Sequence, residues 1–328
     1  MTLPIALDAM GGDFAPGEIV AGARRAVDEL GLSVTLVGVL ELLGDPLGLE
    51  VVAVSEVIAM DDDPGASVRK KKDSSLVRAA ELVRDGKASA MVSAGNTGAT
   101  MASALLRMGR LPGVIRPCIA TPIPRPDATP MLLVDAGANA ECKPEMLVQF
   151  AQMASTYVRA LYGVDRPSVG LLSIGEESSK GTPLVKETYQ LLRDMSSLNF
   201  VGNVEGGDLV PSPVDVIVTD GFTGNVALKT LEGALKFVFA TVLGAIGTND
   251  ATKAAGDVLL PYLLPVAKEL SAENQGGALL LGVKGICVIS HGASNATAIM
   301  NALRVADEIE KGAVVAKIGL AIRPDKVA

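Results

Sequence analysis

The sequence predicts an α/β fold: a three-layer, doubly wound, mostly parallel sheet with helices on both faces. Three observations carry that expectation. Hydrophobic residues make up 49% of the 328 positions, yet Trp is absent and aromatics are only 3%, so the core must be built from Val, Leu, Ile and Ala. Strands buried on both faces have that composition. Six short apolar runs end in loops rich in Gly, Asn, Ser or Asp and pass into helical patterns. No fixed-period repeat or low-complexity segment interrupts the series, so residues 1–328 are read as a single α/β domain.

In chain order, Leu3 to Leu7 is the first strand, and Asp8-Ala-Met-Gly-Gly-Asp13 is its loop. Pro16 then starts a helix that runs to Leu30, with Gly31 beyond its end. Val34 to Val37 and Val51 to Ile58 are further strands. Asp61-Asp-Asp-Pro-Gly65 and the basic run Arg69-Lys-Lys-Lys72 follow, then Ser74 and Ser75 as caps for a helix to Arg84. Ala88 to Val92 ends at Ser93-Ala-Gly-Asn-Thr-Gly-Ala-Thr100, after which Met101, Leu105, Leu106 and Met108 recur at helical spacing. Arg116 to Ile123 and Met131 to Val134 pair as a hairpin across Pro124 to Asp127. Pro144 starts a long helix through Tyr162. Val169 to Ile174, Val214 to Thr219 and Ile286 to Ile289 are three more strands. Each leads through its own loop to a helix beginning near Thr182, Val226 and Asn295 respectively. In an open parallel sheet such loops share the carboxyl edge of the strands, so all six are expected along one ligand crevice.

The formal net charge of −8 offers no general attraction to nucleic acid or anionic lipid. Cys118, Cys142 and Cys287 lack CxxC spacing and leave one odd thiol after any pairing, which points to a reducing, cytoplasmic setting. The N-terminal run lacks a basic start and is not read as a signal peptide. Several motifs are absent: GxGxxG with a downstream acid, the P-loop, and the GxSxG elbow. His291 is the only histidine, so no His/Cys metal site is expected.

The loop groups that remain suit chemistry without a redox cofactor, metal or protein nucleophile. Phosphate attack on a thioester is such a reaction: the protein has to hold one anion and stabilise an oxyanion. Backbone amides at helix starts, amide and hydroxyl side chains and a cation can do both. Asn96, Thr97, Asn139, Lys180, Thr223, Asn225 and His291 supply those groups, while Gly11, Gly12, Gly95 and Gly98 let the backbone approach a ligand. Asp8, Asp135 and Asp220 end strands, where capping the next loop is expected over acid–base work.

The blocks Asp8 to Asp13, Ser93 to Ala99, Asp135 to Asn139, Ile174 to Gly181, Asp220 to Lys229 and Ser290 to Gly292 resemble the signatures of the PlsX family. These are bacterial acyl-carrier-protein:phosphate acyltransferases of phospholipid synthesis, and the blocks fall in the family's order over nearly the whole chain. The resemblance implies long-chain acyl transfer from acyl carrier protein to inorganic phosphate, without a cofactor, by a cytoplasmic homodimer peripheral to the membrane. It implies a fold like that of phosphotransacetylases and isocitrate dehydrogenases, and acyl phosphate passing to a glycerol-phosphate acyltransferase. Lys180 and Asn225 would then form the reacting centre. Asp8, Gly11, Gly12, Ser93, Gly95, Asn96, Thr97, Gly98 and Thr223 would surround the substrates, with Asn139 and His291 at the rim. Arg69, Lys70, Lys71 and Lys72 would dock the acidic carrier protein. The segment at about 235–275 would project as helices toward the partner subunit or the membrane. Its few cations lie beside Asp250, Asp257 and Glu269, so dimer packing is expected over a polybasic anchor. Gln275 stands before Gly-Gly-Ala where the family commonly has Tyr. The alternatives are a short-chain phosphotransacetylase acting on coenzyme A esters and a non-catalytic acyl- or anion-binding protein.

Overall fold

A computed structural model of the chain describes residues 3–125, 128–270 and 275–322. Among these, eleven strands form one sheet: β1 (Ile5–Asp8), β2 (Val34–Gly38), β3 (Glu50–Ala53), β4 (Ala90–Ser93), β5 (Cys118–Arg125), β6 (Ala128–Val134), β7 (Ser168–Leu172), β8 (Asn199–Val204), β9 (Val216–Val218), β10 (Ala278–Leu281) and β11 (Ile286–Ile289). The helices are α1 (Gly17–Leu30), α2 (Leu40–Leu43), α3 (Pro64–Lys70), α4 (Ser75–Arg84), α5 (Thr97–Arg107), α6 (Pro144–Tyr162), α7 (Pro183–Arg193), α8 (Gly221–Ile246), α9 (Asp250–Leu270), α10 (Ala296–Lys311) and α11 (Val314–Ala321).

Alternate residues of each strand enter opposite layers, as the pleat requires. Leu7, Val92 and Val134 face the layer made by α1, α6, α10 and α11, where Phe150 and Tyr157 of α6 are buried. Ala6 and Met91 face the other layer with Val68 of α3, Leu76 of α4 and Ala104 of α5. Leu133 and Ile217 extend that second layer beneath α8, against Leu228 and Leu231. Burying a side chain the size of Leu or Phe contributes about 1.5–3 kcal/mol, and aliphatic stripes of this kind hold all three layers. Local signals set several helix ends: Gly31 closes α1 at φ 67°, Pro183 opens α7 behind a Thr182 cap, and Asn295 caps α10.

The strand order is β3-β2-β1-β4-β11-β10-β5-β6-β9-β7-β8. The first five strands in that order run parallel to one another, as do the last four. Between the two blocks, β10 is antiparallel to both β11 and β5, and β5 is antiparallel to β6. The blocks therefore run in opposite directions. This corrects the expectation of six loops on a single edge: those after β1, β4 and β11 lie on one edge, and those after β6, β7 and β9 lie on the other. Apolar patterning marks a strand but not its direction, and two interposed antiparallel strands reverse the second half.

Other departures are local. The run from Val51 pairs only as far as Ala53 and then leaves the sheet. Ser74 is the cap residue of α4 but makes no side-chain cap bond. The hairpin tip at residues 126 and 127 lies outside the described residues. Past about residue 235, α8 and then α9 project from the body, with Phe237 72% and Tyr262 76% exposed. Among the described residues, no helix is long and apolar enough to cross a membrane.

Candidate active site

On the first edge, the loops after β1, β4 and β11 are laced together. Asp8 is fully buried. Its Oδ1 accepts from the Met10 amide (3.1 Å), and its Oδ2 accepts from the Ser93 hydroxyl (2.7 Å), whose oxygen in turn accepts from the Gly95 amide (3.0 Å). A side-chain carbon at Gly11 would come within 2.5 Å of Asp8 Oδ2 and 2.7 Å of the Gly95 nitrogen, so only glycine fits there. Backbone bonds from Ser290 to Ser93 (2.8 Å) and from Asp13 to Gly292 (2.7 Å) tie in the third loop. Burial pushes the Asp8 carboxyl above its ordinary value, with bonds from Ser75, Ser93 and Met10 opposing that shift.

Asn96 caps α5. Its Oδ1 accepts from Ala99 (3.0 Å), and its Nδ2 donates to the carbonyls of Met60 (2.8 Å) and Asp62 (3.2 Å). The side chain expected to bind phosphate thus anchors the acidic loop. The Ala99 amide is used by this cap and the Thr100 amide by the first helical bond. That leaves the first two amides of α5, those of Thr97 and Gly98, at the positive end of the helix dipole. Gly98 is required because a side-chain carbon there would meet Pro64 at 2.7 Å. His291 is exposed, and its Nδ1 accepts from the Ala293 amide (3.2 Å), which leaves the ring proton on Nε2.

On the opposite edge, Asp135 organises the loop after β6. Oδ1 accepts from the amides of Ile119 (3.0 Å), Gly137 (3.2 Å) and Ala138 (2.9 Å). Oδ2 accepts from the amide and the side chain of Asn139, both at 2.8 Å. The Asn139 side chain also donates to the Pro117 carbonyl (2.8 Å), so it is structural. Asp220 caps α8 through the Thr223 amide (2.9 Å) and also holds the Thr223 hydroxyl (2.8 Å). A side-chain carbon at Gly224 would strike the Asp135 carbonyl, and one at Gly137 (φ 136°) would lie 3.6 Å from Asn225. These contacts fix Asn225 beside the Asp135 loop.

A cavity of about 510 Å³ joins the two edges. Thr97 and His291 line it from the first edge, Asn225 from the second, and Ile119, Leu228 and Ala278 form apolar wall between them. Lys180 is not in that lining; it is exposed on the loop after β7, packed over Gly175. Nor do Asp8, Ser93, Gly11, Gly12 or Gly95 reach the cavity surface, and their part is to shape the loops. The sequence predicts a helix from Val226 onward and, from Leu235, a segment for dimer or membrane contact; it does not reveal that Leu228, Leu231, Leu235 and Phe239 line this cavity.

In the basic run, Lys71 Nζ lies 2.5 Å from Asp62 and donates to the Val57 carbonyl (2.9 Å). That bond holds the Asp62 carboxyl below its ordinary range. Lys71 therefore braces the acidic loop, whereas Arg69, Lys70 and Lys72 are exposed. Burial pushes the Cys142 thiol up to about 11 and Cys287 up to about 12, and it raises Cys118 as well, so none is a ready thiolate at neutral pH. Among the described residues, no three His, Cys, Asp or Glu side chains converge as metal ligands.

The chain is an α/β protein of the phosphotransacetylase fold. A branched-chain phosphotransacylase from Enterococcus faecalis V583 matches with a TM-score of 0.61 at 15% identity, over 94% of this chain and 99% of that one. A phosphotransacetylase from Streptococcus pyogenes matches at 0.56 and 18%, over 98% and 94%. A family model described as "Fatty acid synthesis protein" matches residues 3–317. The chain is 49% identical over 317 residues to the phosphate acyltransferase of Leptospira biflexa, covering 94% of this chain and 93% of the relative. It is also 49% identical over 323 residues to that of Elusimicrobium minutum, covering 96% and 94%. The chain belongs to this phosphate acyltransferase family.

Proposed function

We propose that this enzyme transfers a long-chain acyl group from acyl carrier protein to inorganic phosphate, giving acyl phosphate for phospholipid synthesis. One observation carries the reading: an anion-ready helix start and a long apolar cavity share one enclosure at Thr97, His291 and Asn225. Phosphate sits at the Thr97 and Gly98 amides, with the Thr97 hydroxyl and His291 Nε2 as further donors. A phosphate oxygen attacks the thioester carbon, the carbon–sulfur bond breaks, and the thiolate takes a proton from solvent or from hydrogen phosphate. Asn225 hydrogen-bonds the oxyanion as it forms. Lys180 acts from the neighbouring loop by swinging its long side chain toward the anion. No protein nucleophile is used, in keeping with thiols held protonated.

Arg69, Lys70 and Lys72 form the docking patch for the acidic carrier protein. The projecting α8–α9 segment packs against a second copy of the chain, and its outermost apolar side chains touch the membrane where a glycerol-phosphate acyltransferase takes the product. The enzyme works in the cytoplasm.

The test is phosphate-dependent release of free thiol from palmitoyl carrier protein, measured beside acetyl coenzyme A. Turnover of the first and not the second is the expected result. Preference for acetyl coenzyme A would replace this reading with the short-chain one, which leaves the apolar cavity without a use.

A further inference from the structure

The wall that α8 gives to the cavity is one continuous stripe: Asn225, Leu228, Leu231, Leu235 and Phe239 line it in succession. These recur every three or four residues, so they share one helix face. The charged members of the same face do not block it. Lys229 pairs with Glu232 at 2.8 Å and Lys236 is exposed, so their stems line the wall while their heads reach solvent. Helix α8 continues to Ile246, yet no residue of it beyond Phe239 reaches the cavity. Ala267 and Leu270 of α9 also line the cavity. Phe239 is half-buried there, whereas Phe237 and Val238 beside it point outward.

We infer that Phe239 is the end stop that sets the longest acyl chain this enzyme accepts. The inference rests on the acyl-transfer reading above, with the thioester carbon at Asn225. Phe239 lies fourteen helical steps beyond Asn225, a distance of about 21 Å at 1.5 Å per residue. An extended alkyl chain with bonds of about 1.5 Å and angles of about 111° advances about 1.25 Å per carbon. The wall therefore measures about sixteen carbons, and a longer chain must fold back or leave its tail in water. Each methylene that gains a buried place is worth about fourfold in binding, so a two-carbon misfit changes preference by roughly tenfold.

The experiment compares kcat/KM for lauroyl, myristoyl, palmitoyl and stearoyl carrier protein in wild type, Phe239→Ala and Phe239→Trp. Wild type is expected to rise by about fourfold per added methylene up to palmitoyl and to gain nothing further at stearoyl. Phe239→Ala is expected to raise the stearoyl-to-myristoyl ratio by about tenfold, and Phe239→Trp to lower the palmitoyl-to-lauroyl ratio. General damage to the fold would not move these ratios in opposite directions. Ratios that stay at the wild-type values, or shift the same way in both variants, overturn the end stop while leaving the acyl-transfer reading in place. A wild-type enzyme that releases thiol from none of the four overturns that reading and the end stop with it.

Discussion

Asp135→Asn tests the part of the site that is most completely described. The carboxylate accepts five hydrogen bonds, three at Oδ1 and two at Oδ2. An asparagine can keep its single oxygen toward the amides of Ile119, Gly137 and Ala138. Its NH₂ group then faces the amide and the side chain of Asn139, two donors against a donor. The Asn139 side chain retains the Pro117 carbonyl, but its backbone amide is stranded in a site where Asp135 itself is buried. A stranded buried amide costs about 1–3 kcal/mol, and the lost charge-assisted bonds add to that. One term opposes: burial already raises the Asp135 carboxyl above its ordinary value, so a neutral side chain relieves some desolvation. The net expectation is a loss of about 2 kcal/mol at neutral pH. In urea, with a slope of about 3 kcal/mol/M or more for a chain of this size, the unfolding midpoint falls by about 0.5 M. Because Gly137 abuts Asn225, kcat should fall as well, although Asp135 touches no cavity surface. A midpoint within about 0.1 M of wild type, together with an unchanged kcat, would show that the loop does not depend on the carboxylate and refute the reasoning.

Asn225→Ala and Lys180→Ala are each expected to lower kcat by about 10²–10³ without shifting the urea midpoint; near-normal rates in both would remove them from the reacting centre. For Asp8, whose buried carboxyl titrates above 3.8, the folded state binds more protons than the unfolded state between the two pKa values. The Asp8 contribution to stability is therefore greatest below 3.8 and declines as pH rises from there toward the folded pKa. Unfolding free energies of wild type and Asp8→Asn, measured across that range, should show a difference that declines with pH; a flat or rising difference contradicts the assignment. Charge reversal at Lys70 and Lys72 should raise KM for the carrier protein severalfold and leave KM for phosphate alone, whereas Lys71→Ala should lower stability through the loosened acidic loop. Steady-state kinetics and a thermal melt separate the two. Liposome flotation of Leu259→Ser, Leu263→Ser, Leu264→Ser combined tests the projecting segment: a still-dimeric variant with undiminished lipid binding would remove the membrane contact.

Much of this architecture is legible in the residues. The Gly, Asn and Asp loops announce where strands stop, and Pro144, Pro183 and Asn295 announce where helices begin. The capping role of strand-end aspartates is equally readable, since short carboxylates compete for nearby amides. Strand direction is not readable. Ala278 to Leu281 is too short and too uniformly apolar to reveal that it runs antiparallel, and Gly202 and Asn203 disguise β8. The division of labour in the site was hidden for a related reason. Asn96, Asn139 and Lys71 have the chemistry to bind an anion, but Asn96 also donates to Met60 and Asp62, Asn139 to Pro117 and Lys71 to Val57, and those partners come from other segments of the chain. Only the fold reveals which polar groups are already satisfied and which, like the amides of Thr97 and Gly98, remain for a ligand.

The placement of β11 also governs how the chain can be assembled. Its partner β4 emerges roughly two hundred residues earlier, yet β4 can pair on that side only when β11 arrives, as can β10 on its own open flank. During synthesis the first block therefore waits with an unpaired apolar edge while the second block, from β6 to β9, already has its full complement of strands. Nascent chains halted before Ile286 should keep that edge available to chaperones or to one another, and a late stop codon would be felt at the oldest part of the sheet.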